Sequence, residues 1–491
     1  MRYSIVFVLS IHLFMKYFFI TLLLLTTLEV QGSNPPNFIL ILTDDQGWTS
    51  LSKAIDPDFP RAKSDYHKTP NMDALLGMGV SFTNGYSASS VCSPSRYSIQ
   101  FGKTPARIGK TIVVGKNKAD HNQIGLAQLL KSIDPEYYCA HLGKWHIDAE
   151  PSRYGYDLDD GITKNKAGNF NNNDSKRQWG GYVEEDPKRA DSLTERTIDF
   201  IKDAQSQGRP FFVQLSHYAV HSDIVYSAES YAEMLGTPKG TTHKDVGYAA
   251  MIMDLDKSIG KLLAAYEDLN LNENTYIIFT SDNGGMPVVP LQVNRGRPYP
   301  NGMNSPLVRG KWDMMEGGIR VPFAIAGPGI KPGLVSDTPV VGYDLLPTVV
   351  ELAQKGDTSI ELPENLDGGS LAQVLGGDIE ATINRPTQGL IFHFPHYNVC
   401  GLNEPHSAIR DGDYKLVEFY TSDRKLLFDM RTDISESKDL SKSKPALVIE
   451  LSGLLHKHLD LVGADMPEDC FTWEKRGQSG AVKTKFFQRY D

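Results

Sequence analysis

A continuous apolar run ends in two aspartates in the segment Asn37-Phe38-Ile39-Leu40-Ile41-Leu42-Thr43-Asp44-Asp45-Gln46-Gly47. Such a run is expected of a strand that is buried on both faces of a parallel sheet. Two further runs share this character, from Tyr276 to Thr280 and from Pro210 to Leu215. Helical patterns lie between them, for example from Thr194 to Lys202 and from Tyr248 to Tyr266. This alternation predicts a doubly wound α/β domain.

Each of the three runs is followed by side chains that can carry chemistry. They are Asp44 and Asp45 after the first run, Asp282 and Asn283 after the second, and His217 and His221 after the third. In doubly wound sheets the chemistry collects at the carboxyl ends of the strands. The acidic and amide side chains offer only oxygen ligands, which suit Ca²⁺ or Mg²⁺ rather than zinc. Asp-Asp and Asp-Asn are also common turn residues, so each pair alone has a second interpretation.

A change of composition between about residues 355 and 388, where Gly, Pro, Asp and Asn are dense, marks a predicted domain boundary. Beyond it, Ser407 to Val417 predicts a hairpin around Asp411-Gly412. A strand is expected from Lys425 to Asp429 and a helix from Ala446 to Leu459. We therefore predict an N-terminal catalytic domain over residues 33–370 and a C-terminal subdomain, with an antiparallel sheet and a helix, over residues 371–491.

The N-terminal 32 residues have the pattern of an export signal. Lys16 precedes the apolar run from Tyr17 to Leu25, and Val30-Gln31-Gly32 fits a cleavage site. A second apolar run, Ile5 to Phe14, lies upstream; together the two could span a bilayer, so a retained membrane anchor stays an alternative. We expect a secreted or periplasmic protein without stable membrane insertion once the signal is removed.

Charge and cysteine content exclude two classes of protein. With 50 basic and 60 acidic residues the net charge is −10, which argues against a nucleic-acid-coating protein, so an anionic substrate needs a local cationic pocket. Four cysteines do not form a disulfide scaffold. Cys139 lies in a predicted buried strand and is expected to be a packed thiol, whereas export would permit a Cys400–Cys470 bridge.

Cys92 begins the pentapeptide Cys92-Ser93-Pro94-Ser95-Arg96. On its own such a cysteine is open to three interpretations: a small buried hydrophobe, half of a disulfide, or a nucleophile. The C-x-P-S-R pattern resembles the signature of type I sulfatases. In that family a formylglycine-generating enzyme oxidises the cysteine to Cα-formylglycine, whose hydrated aldehyde attacks the sulfur of a sulfate ester. The resemblance implies this nucleophile at position 92 and this maturation partner.

Further motifs extend the resemblance over most of the chain. The family's metal ligands match Asp44, Asp45, Asp282 and Asn283, and the formylglycine at position 92 also binds the metal there. Leu142-Gly143-Lys144-Trp145-His146 is similar to the family's GKWH motif, which implies that Lys144 binds sulfate and that His146, beside the formylglycine, deprotonates one of its hydroxyls to expel sulfate.

The remaining family positions are cationic or imidazole groups. The segment from Gly310 to Pro322 resembles the GK-x4-EGG-x-R-x-P pattern and implies that Lys311 is a second sulfate ligand. His221 matches a family histidine that contacts the sulfate or protonates the leaving oxygen. Arg96 matches a family arginine that orients the formylglycine. Taken singly, each of these residues would be an ordinary surface or core residue.

The resemblance implies an alkaline-phosphatase-like fold: a mixed sheet sandwiched by helices, with a smaller C-terminal antiparallel sheet and helix. The function expected is an exported sulfatase acting on a sulfated carbohydrate or polysaccharide fragment. Two alternatives stay open. One is a phosphonate or phosphodiester hydrolase of the same superfamily, and the other is a non-catalytic sulfated-glycan-binding protein if Cys92 is not oxidised.

Five residues are assigned to substrate contacts. His217 would line the pocket, and Arg295 and Arg297 lie in a loop from Met286 to Ser305 that follows the second acidic pair. His393 and His396 would face the same sugar from the C-terminal subdomain. Arginines in a Gly- and Pro-rich loop are also commonly solvated charges, which is the alternative interpretation of this pair.

Overall fold

Eight strands of the described chain form a mixed central sheet in the computed structural model, which describes residues 35–113, 118–170, 180–286, 304–356, 360–398 and 404–468 with Gln488 and Tyr490. Their order across the sheet is Leu334–Ser336 (β11), Val80–Phe82 (β2), Phe323–Ala326 (β10), Thr275–Ser281 (β9), Asn37–Thr43 (β1), Phe211–Ser216 (β7), Tyr138–Gly143 (β4) and Leu158–Asp159 (β5). The predicted signal segment, residues 1–32, lies outside the described residues.

Parallel pairing at the centre of this sheet aligns the strand ends. β1 pairs with β9 so that Thr43 lies opposite Ser281, and with β7 so that Leu42 lies opposite Ser216. β4 pairs with β7 so that Gly143 also lies opposite Ser216. β10 runs antiparallel to both of its neighbours. The mixed sheet is confirmed, and the residues after β1, β4, β7 and β9 meet at one edge.

Helices cover both faces of the sheet. The α-helices are Pro70–Gly77 (α1), Cys92–Phe101 (α2), Pro105–Ile108 (α3), Leu126–Ile133 (α4), Ala190–Ser206 (α5), Ala228–Gly236 (α6), Val246–Asp268 (α7), Glu316–Ile319 (α8), Leu345–Gln354 (α9), Ala372–Leu375 (α10) and Pro445–Val462 (α11). Alternate residues of β1 enter two cores: Ile39 and Ile41 pack with α1, α5 and α7, while Phe38 and Leu40 pack with α2, α4 and α9. Each such side chain contributes about 1.5–3 kcal/mol by burial.

A second, antiparallel sheet lies near the C-terminus. Its strands follow in chain order as Leu390–Phe394 (β13), His406–Asp411 (β14), Tyr414–Phe419 (β15) and Arg424–Asp429 (β16). The predicted hairpin is confirmed, with Asp411 opposite Tyr414 and Gly412 at φ +52° in the turn. Helix α11 packs on this sheet through Leu451, Leu455 and Leu459, which confirms the predicted sheet and helix. The boundary at residue 370 stays a prediction.

Shorter elements connect these layers. They are the strand pairs Gly85–Tyr86 (β3) with Val340–Val341 (β12) and Tyr182–Val183 (β6) with Val225–Tyr226 (β8), and the 3₁₀ turns Trp48–Ser50, Pro151–Tyr154, Asn165–Gly168, Pro187–Arg189, Leu271–Glu273 and Gly342–Asp344. Cys139 is a free, buried thiol, as predicted. In the portion of the chain that is described, no helix is long and apolar enough to cross a bilayer.

A buried charge cluster joins the C-terminal sheet to the segment that carries Lys311. Lys415 on β15 donates to Glu316 on α8 and to Glu436, each at 2.9 Å, and all three side chains are fully buried. The backbone N–H of Glu316 also donates to Glu436, at 2.8 Å. Burial raises the pKa of Glu436 to about 7 although Lys415 opposes this shift.

Replacing Lys415, the cation that Glu316 and Glu436 share, should lower the stability of the fold. Lys415→Met leaves the buried Glu436 without its cation and Glu316 with only Arg320, at 3.5 Å, so we expect the free energy of unfolding to fall by about 3–5 kcal/mol. Urea denaturation measures the change. The control is Lys261→Met, which breaks a solvent-exposed ion pair with Asp191 and should cost no more than about 1 kcal/mol. Equal losses in the two variants contradict the role given to Lys415.

Candidate active site

The two acidic pairs meet directly after β1 and β9. The backbone N–H of Asp45 donates to Asp282 Oδ1 at 3.1 Å, and Asn283 Nδ2 donates to Asp45 Oδ1 at 2.7 Å. Asp44 is also buried at this edge. The parallel register brings the pairs together because Thr43 and Ser281, which precede them, lie opposite each other.

Cys92 is the first residue of α2 and is buried beside these carboxylates. One ligand atom from each of Asp44, Cys92 and Asp282 lies within 4.8 Å of the others. Cys92 Sγ is 3.3 Å from His146 Nδ1. Burial raises the pKa of the Cys92 thiol, although Lys144 and Lys311 oppose the shift. The unmodified side chain is therefore a protonated thiol and a weak nucleophile.

Three cations are paired with the three carboxylates. Arg96 contacts Asp282 Oδ2 at 2.8 Å, Lys144 donates to Asp44 Oδ2 at 2.5 Å, and Lys311 donates to Asp45 at 2.6 and 2.8 Å. Arg96 also donates to the backbone oxygen of Lys144. Burial lowers the pKa of Lys311, but Asp45, Asp44 and the other anionic groups of the site together outweigh burial and hold that pKa above its ordinary value.

Two histidines flank the cluster on different sides. His146 lies at Cys92 and adopts φ +60°, with its backbone oxygen accepting from Ser93 Oγ at 2.9 Å. His221 Nε2 lies 3.8 Å from Asp45 Oδ2, and His221 Nδ1 donates to the Ser222 carbonyl at 2.5 Å. Burial, with neighbouring lysines, lowers the pKa of both imidazoles well below their usual value. Both are therefore neutral at neutral pH.

The donor set fits a hard divalent cation. Asp44 Oδ1 and Asn283 Oδ1 are buried and have no hydrogen-bond partner among the described residues. Carboxylate and amide oxygens are the ligands that Ca²⁺ and Mg²⁺ prefer. The thiol of Cys92 is the one soft group in the set, and oxidation to an aldehyde hydrate would replace its sulfur with oxygen.

Comparison with known proteins gives the family. The model described as Sulfatase matches residues 36–355, and the model of the N-sulphoglucosamine sulphohydrolase C-terminal region matches residues 310–463. The chain belongs to the sulfatase family. It is therefore a sulfuric ester hydrolase.

Relatives of this sulfatase carry carbohydrate names. The N-acetylgalactosamine-6-sulfatase of Canis lupus familiaris is 32% identical over 380 residues, covering 70% of this chain and 67% of the relative. An ulvan-active sulfatase of Formosa agariphila is 27% identical over 470 residues, covering 89% and 84%. Among solved structures, Ps i-CgsB in complex with k-i-k-neocarrahexaose has a TM-score of 0.69 at 25% identity, covering 93% of this chain and 97% of that one.

The structure brings ten predicted residues of the sulfatase site into one cluster. They are Asp44, Asp45, Cys92, Arg96, Lys144, His146, His221, Asp282, Asn283 and Lys311. Their roles in the reaction stay predictions. The cluster includes both lysines, so the bulky Trp312 next to Lys311 does not prevent Lys311 from reaching Asp45.

Three of the five residues assigned to substrate contacts lie within the described part of the chain. His217 is fully buried after β7, and its ring nitrogens have no partner among the described residues. Both nitrogens of His393 are engaged, with Ser407 Oγ at 2.6 Å and the Asp465 carbonyl at 2.8 Å, so neither is left for a sugar. His396 Nε2 lies 2.8 Å from Thr111 Oγ1. Arg295 and Arg297, like Cys400 and Cys470, lie outside the described residues.

Three residues beside His221 have no sequence motif. Asn165 Nδ2 lies 3.3 Å from His221 Nε2, and the ring of Phe170 meets that of His221 edge to face at 5.2 Å. Lys188 is a buried cation of the same region, whose charge lowers the pKa of His221. No sequence motif points to these residues, because their contacts with His221 join positions far apart in the chain.

Gly284 should be irreplaceable because of a close backbone approach. A Cβ there would lie 1.9 Å from the Gly317 carbonyl oxygen, so Gly284→Ala must separate the Asp282 loop from the Lys311 segment. A displacement near 1 Å costs on the order of 100-fold in rate. We expect such a loss of kcat/KM on an aryl sulfate. Gly453→Ala, in helix α11 with open space around the new Cβ, is the control and should retain parent activity. Full activity in Gly284→Ala refutes this account.

Proposed function

We propose that this sulfatase is an exported enzyme that hydrolyses sulfate esters of a sulfated carbohydrate, with residue 92 oxidised to Cα-formylglycine and one Ca²⁺ or Mg²⁺ bound. The observation that carries the proposal is the buried cluster of Asp44, Cys92 and Asp282, within 4.8 Å of one another. Asp45 and Asn283 complete the oxygen set that would hold the cation. When bound, the cation would polarise a sulfate oxygen, and the hydrated aldehyde would supply the nucleophile.

The nucleophile side of the site is formed by His146 and Arg96. Neutral His146 lies at residue 92 and can accept a proton from a group on that side chain. Arg96 is held by Asp282 and by the backbone of Lys144, so its charge is fixed next to residue 92. Maturation by a formylglycine-generating enzyme is part of this proposal, because the pKa of the unmodified thiol is raised by burial.

The leaving-group side is formed by Lys311 and His221, which both lie at Asp45. Lys311 retains its proton because Asp45 and the other anionic groups of the site hold its pKa high, whereas His221 is neutral and its Nε2, 3.3 Å from Asn165 Nδ2, is an acceptor. Lys311 is therefore the member of the pair that can donate a proton to the leaving oxygen, and Nε2 of His221 can accept a hydrogen bond from the hydroxyl group that results. Lys144 and Lys311 bring two ammonium groups to neighbouring carboxylates, and we assign both to the sulfate oxygens.

The substrate class and export are part of the proposal. The relatives named for N-acetylgalactosamine 6-sulfate and ulvan, and the neighbour solved with a neocarrahexaose, favour a sulfated carbohydrate as substrate. The apolar segment within residues 1–32 favours export, to the exterior or the periplasm.

A panel of sulfated oligosaccharides, an aryl sulfate and an aryl phosphate diester tests the proposal. Faster turnover of the diester favours a phosphodiester hydrolase, and binding without turnover favours a glycan-binding protein.

Oxidation of Cys92 should be required for activity. In protein produced with a formylglycine-generating enzyme, we expect mass spectrometry of the peptide containing residue 92 to find the aldehyde. Cys92→Ala should lose turnover yet fold, because the change removes the nucleophile but little packing. Cys139→Ala, which alters the second buried free thiol of the described residues, should keep turnover and lose only stability. A fully active preparation with only free thiol at Cys92 contradicts the proposal.

Metal binding should be visible in stability as well as rate. At a concentration 100 times its dissociation constant, Ca²⁺ or Mg²⁺ should add about 2.7 kcal/mol to the free energy of unfolding. Asp282→Asn removes one charge from the site and should abolish most of this increment. Asp268→Asn, at the exposed end of α7, should leave it intact. Thermal unfolding with and without a chelator measures both, and a chelator-independent unfolding temperature in the parent refutes the metal site.

A further inference from the structure

A short stretch of chain, Asn165 to Phe170, forms a wall beside His221; we call it the wall segment. Its first residue, Asn165, lies with Nδ2 3.3 Å from His221 Nε2. Its last residue, Phe170, places its ring edge to face on the imidazole, with centroids 5.2 Å apart and planes at 78°. His221 Nδ1 also donates to the Ser222 carbonyl, so three contacts together hold the imidazole ring in one orientation.

Lys188 attaches the wall segment to the rest of the fold. Its ammonium donates to the Gly168 carbonyl at 3.0 Å, at the end of the 3₁₀ turn, and its backbone N–H donates to Asn169 Oδ1 at 3.1 Å. The Tyr182 hydroxyl adds a bond to the Asn169 carbonyl at 3.2 Å. A Cβ on Gly168 would lie 2.1 Å from Tyr218 Cγ, so the segment is pressed against Tyr218.

The position of Lys188 is energetically expensive. Lys188 is 1% exposed, and among the described residues its ammonium has a single hydrogen-bond acceptor, the Gly168 carbonyl. Lys188 and Arg189 adopt φ +57° and +53°, and left-handed backbone costs about 1–2 kcal/mol per residue. Burial lowers the pKa of Lys188 to about 7, although Asp223 and Asp44 oppose the shift. Strain of this kind at the border of a reactive site indicates a functional constraint.

We infer that Lys188 is a positioning residue for the leaving-group side of the reaction, holding the wall segment so that Asn165 and Phe170 fix the ring of His221. The inference rests on the proposed function, in which Lys311 and His221 serve the leaving oxygen. A rotated imidazole would no longer present its acceptor Nε2 to the hydroxyl group that departs beside Lys311, whereas Cys92 and His146 lie on the other side and would be unaffected.

The wall segment also bears on the kind of leaving group. Asn165 Oδ1 is buried without a partner among the described residues, so it can accept a bond from a hydroxyl next to the ester oxygen. An aromatic ring can pack against a sugar, and an amide side chain can form hydrogen bonds with its hydroxyl groups. Sugar alkoxides are poor leaving groups and depend on proton delivery, while a nitrophenolate leaves without it. The consequence of losing Lys188 should therefore depend on the leaving group.

The test compares a sulfated monosaccharide with 4-nitrophenyl sulfate. Lys188→Met removes the ammonium while keeping the side-chain length. We expect kcat on the sugar sulfate to fall about 10- to 100-fold, with KM changed much less, because a misplaced catalytic group costs rate rather than binding. Activity on the aryl sulfate should stay within about threefold of the parent. Lys166→Met, an exposed lysine of the same segment, is the control and should match the parent on both.

A second variant covers the case in which Lys188→Met does not fold. Asn169→Gly keeps the positive φ of that residue but removes the acceptor for the Lys188 N–H, and it should show the same leaving-group dependence in weaker form. Equal losses on both substrates, or parent-like kinetics in both variants, overturn the inference while the parent remains an active sugar sulfatase. A parent that hydrolyses aryl sulfate but no sugar sulfate refutes the proposed substrate, and the inference with it.

Discussion

The parallel pairing of β1 with β9, with Thr43 opposite Ser281, is the constraint on which the site depends. It brings Asp44 and Asp45 against Asp282 and Asn283, although the two pairs are more than two hundred residues apart in the chain. A slip of one residue would turn Ile39 and Ile41 out of one core and Phe38 and Leu40 out of the other. Packing on both faces of the sheet therefore fixes the spacing of the site.

Three buried carboxylates at one sheet edge need compensation, and three cations supply it. Unpaired, each carboxylate would carry a desolvation cost that folding could not offset. Arg96, Lys144 and Lys311 come from α2, from the end of β4 and from the segment before α8, so three separate parts of the fold converge on the cluster. The Lys415 cluster then ties the last of these parts to the C-terminal sheet. The stability of the C-terminal sheet and the position of Lys311 therefore depend on each other through this cluster.

Much of this arrangement can be predicted from the sequence, because short segments of the chain carry the signals for its strands and its site residues. The run from Asn37 to Leu42 has the pattern of a doubly buried strand, and Asp44 and Asp45 follow at the end where such sheets carry chemistry. The Cys92 pentapeptide predicts the reaction through its family resemblance. Asn165 and Lys188 could not be predicted, because their importance lies in contacts with His221 and Gly168 that only the folded chain creates. His393 shows the converse: a histidine near an aromatic strand looks accessible in sequence, but its place on β13 buries both nitrogens in bonds.

The central claim is that the carboxylates at the ends of β1 and β9 and residue 92 form one metal-centred sulfate site. A crystal structure of the matured enzyme grown with Ca²⁺ and inorganic sulfate tests this most directly. The account predicts one cation bound by Asp44, Asp45, Asp282, Asn283 and an oxygen on residue 92, with sulfate at Lys144 and Lys311. An active, matured enzyme whose cation lies elsewhere, or whose residue 92 retains its sulfur, would contradict it.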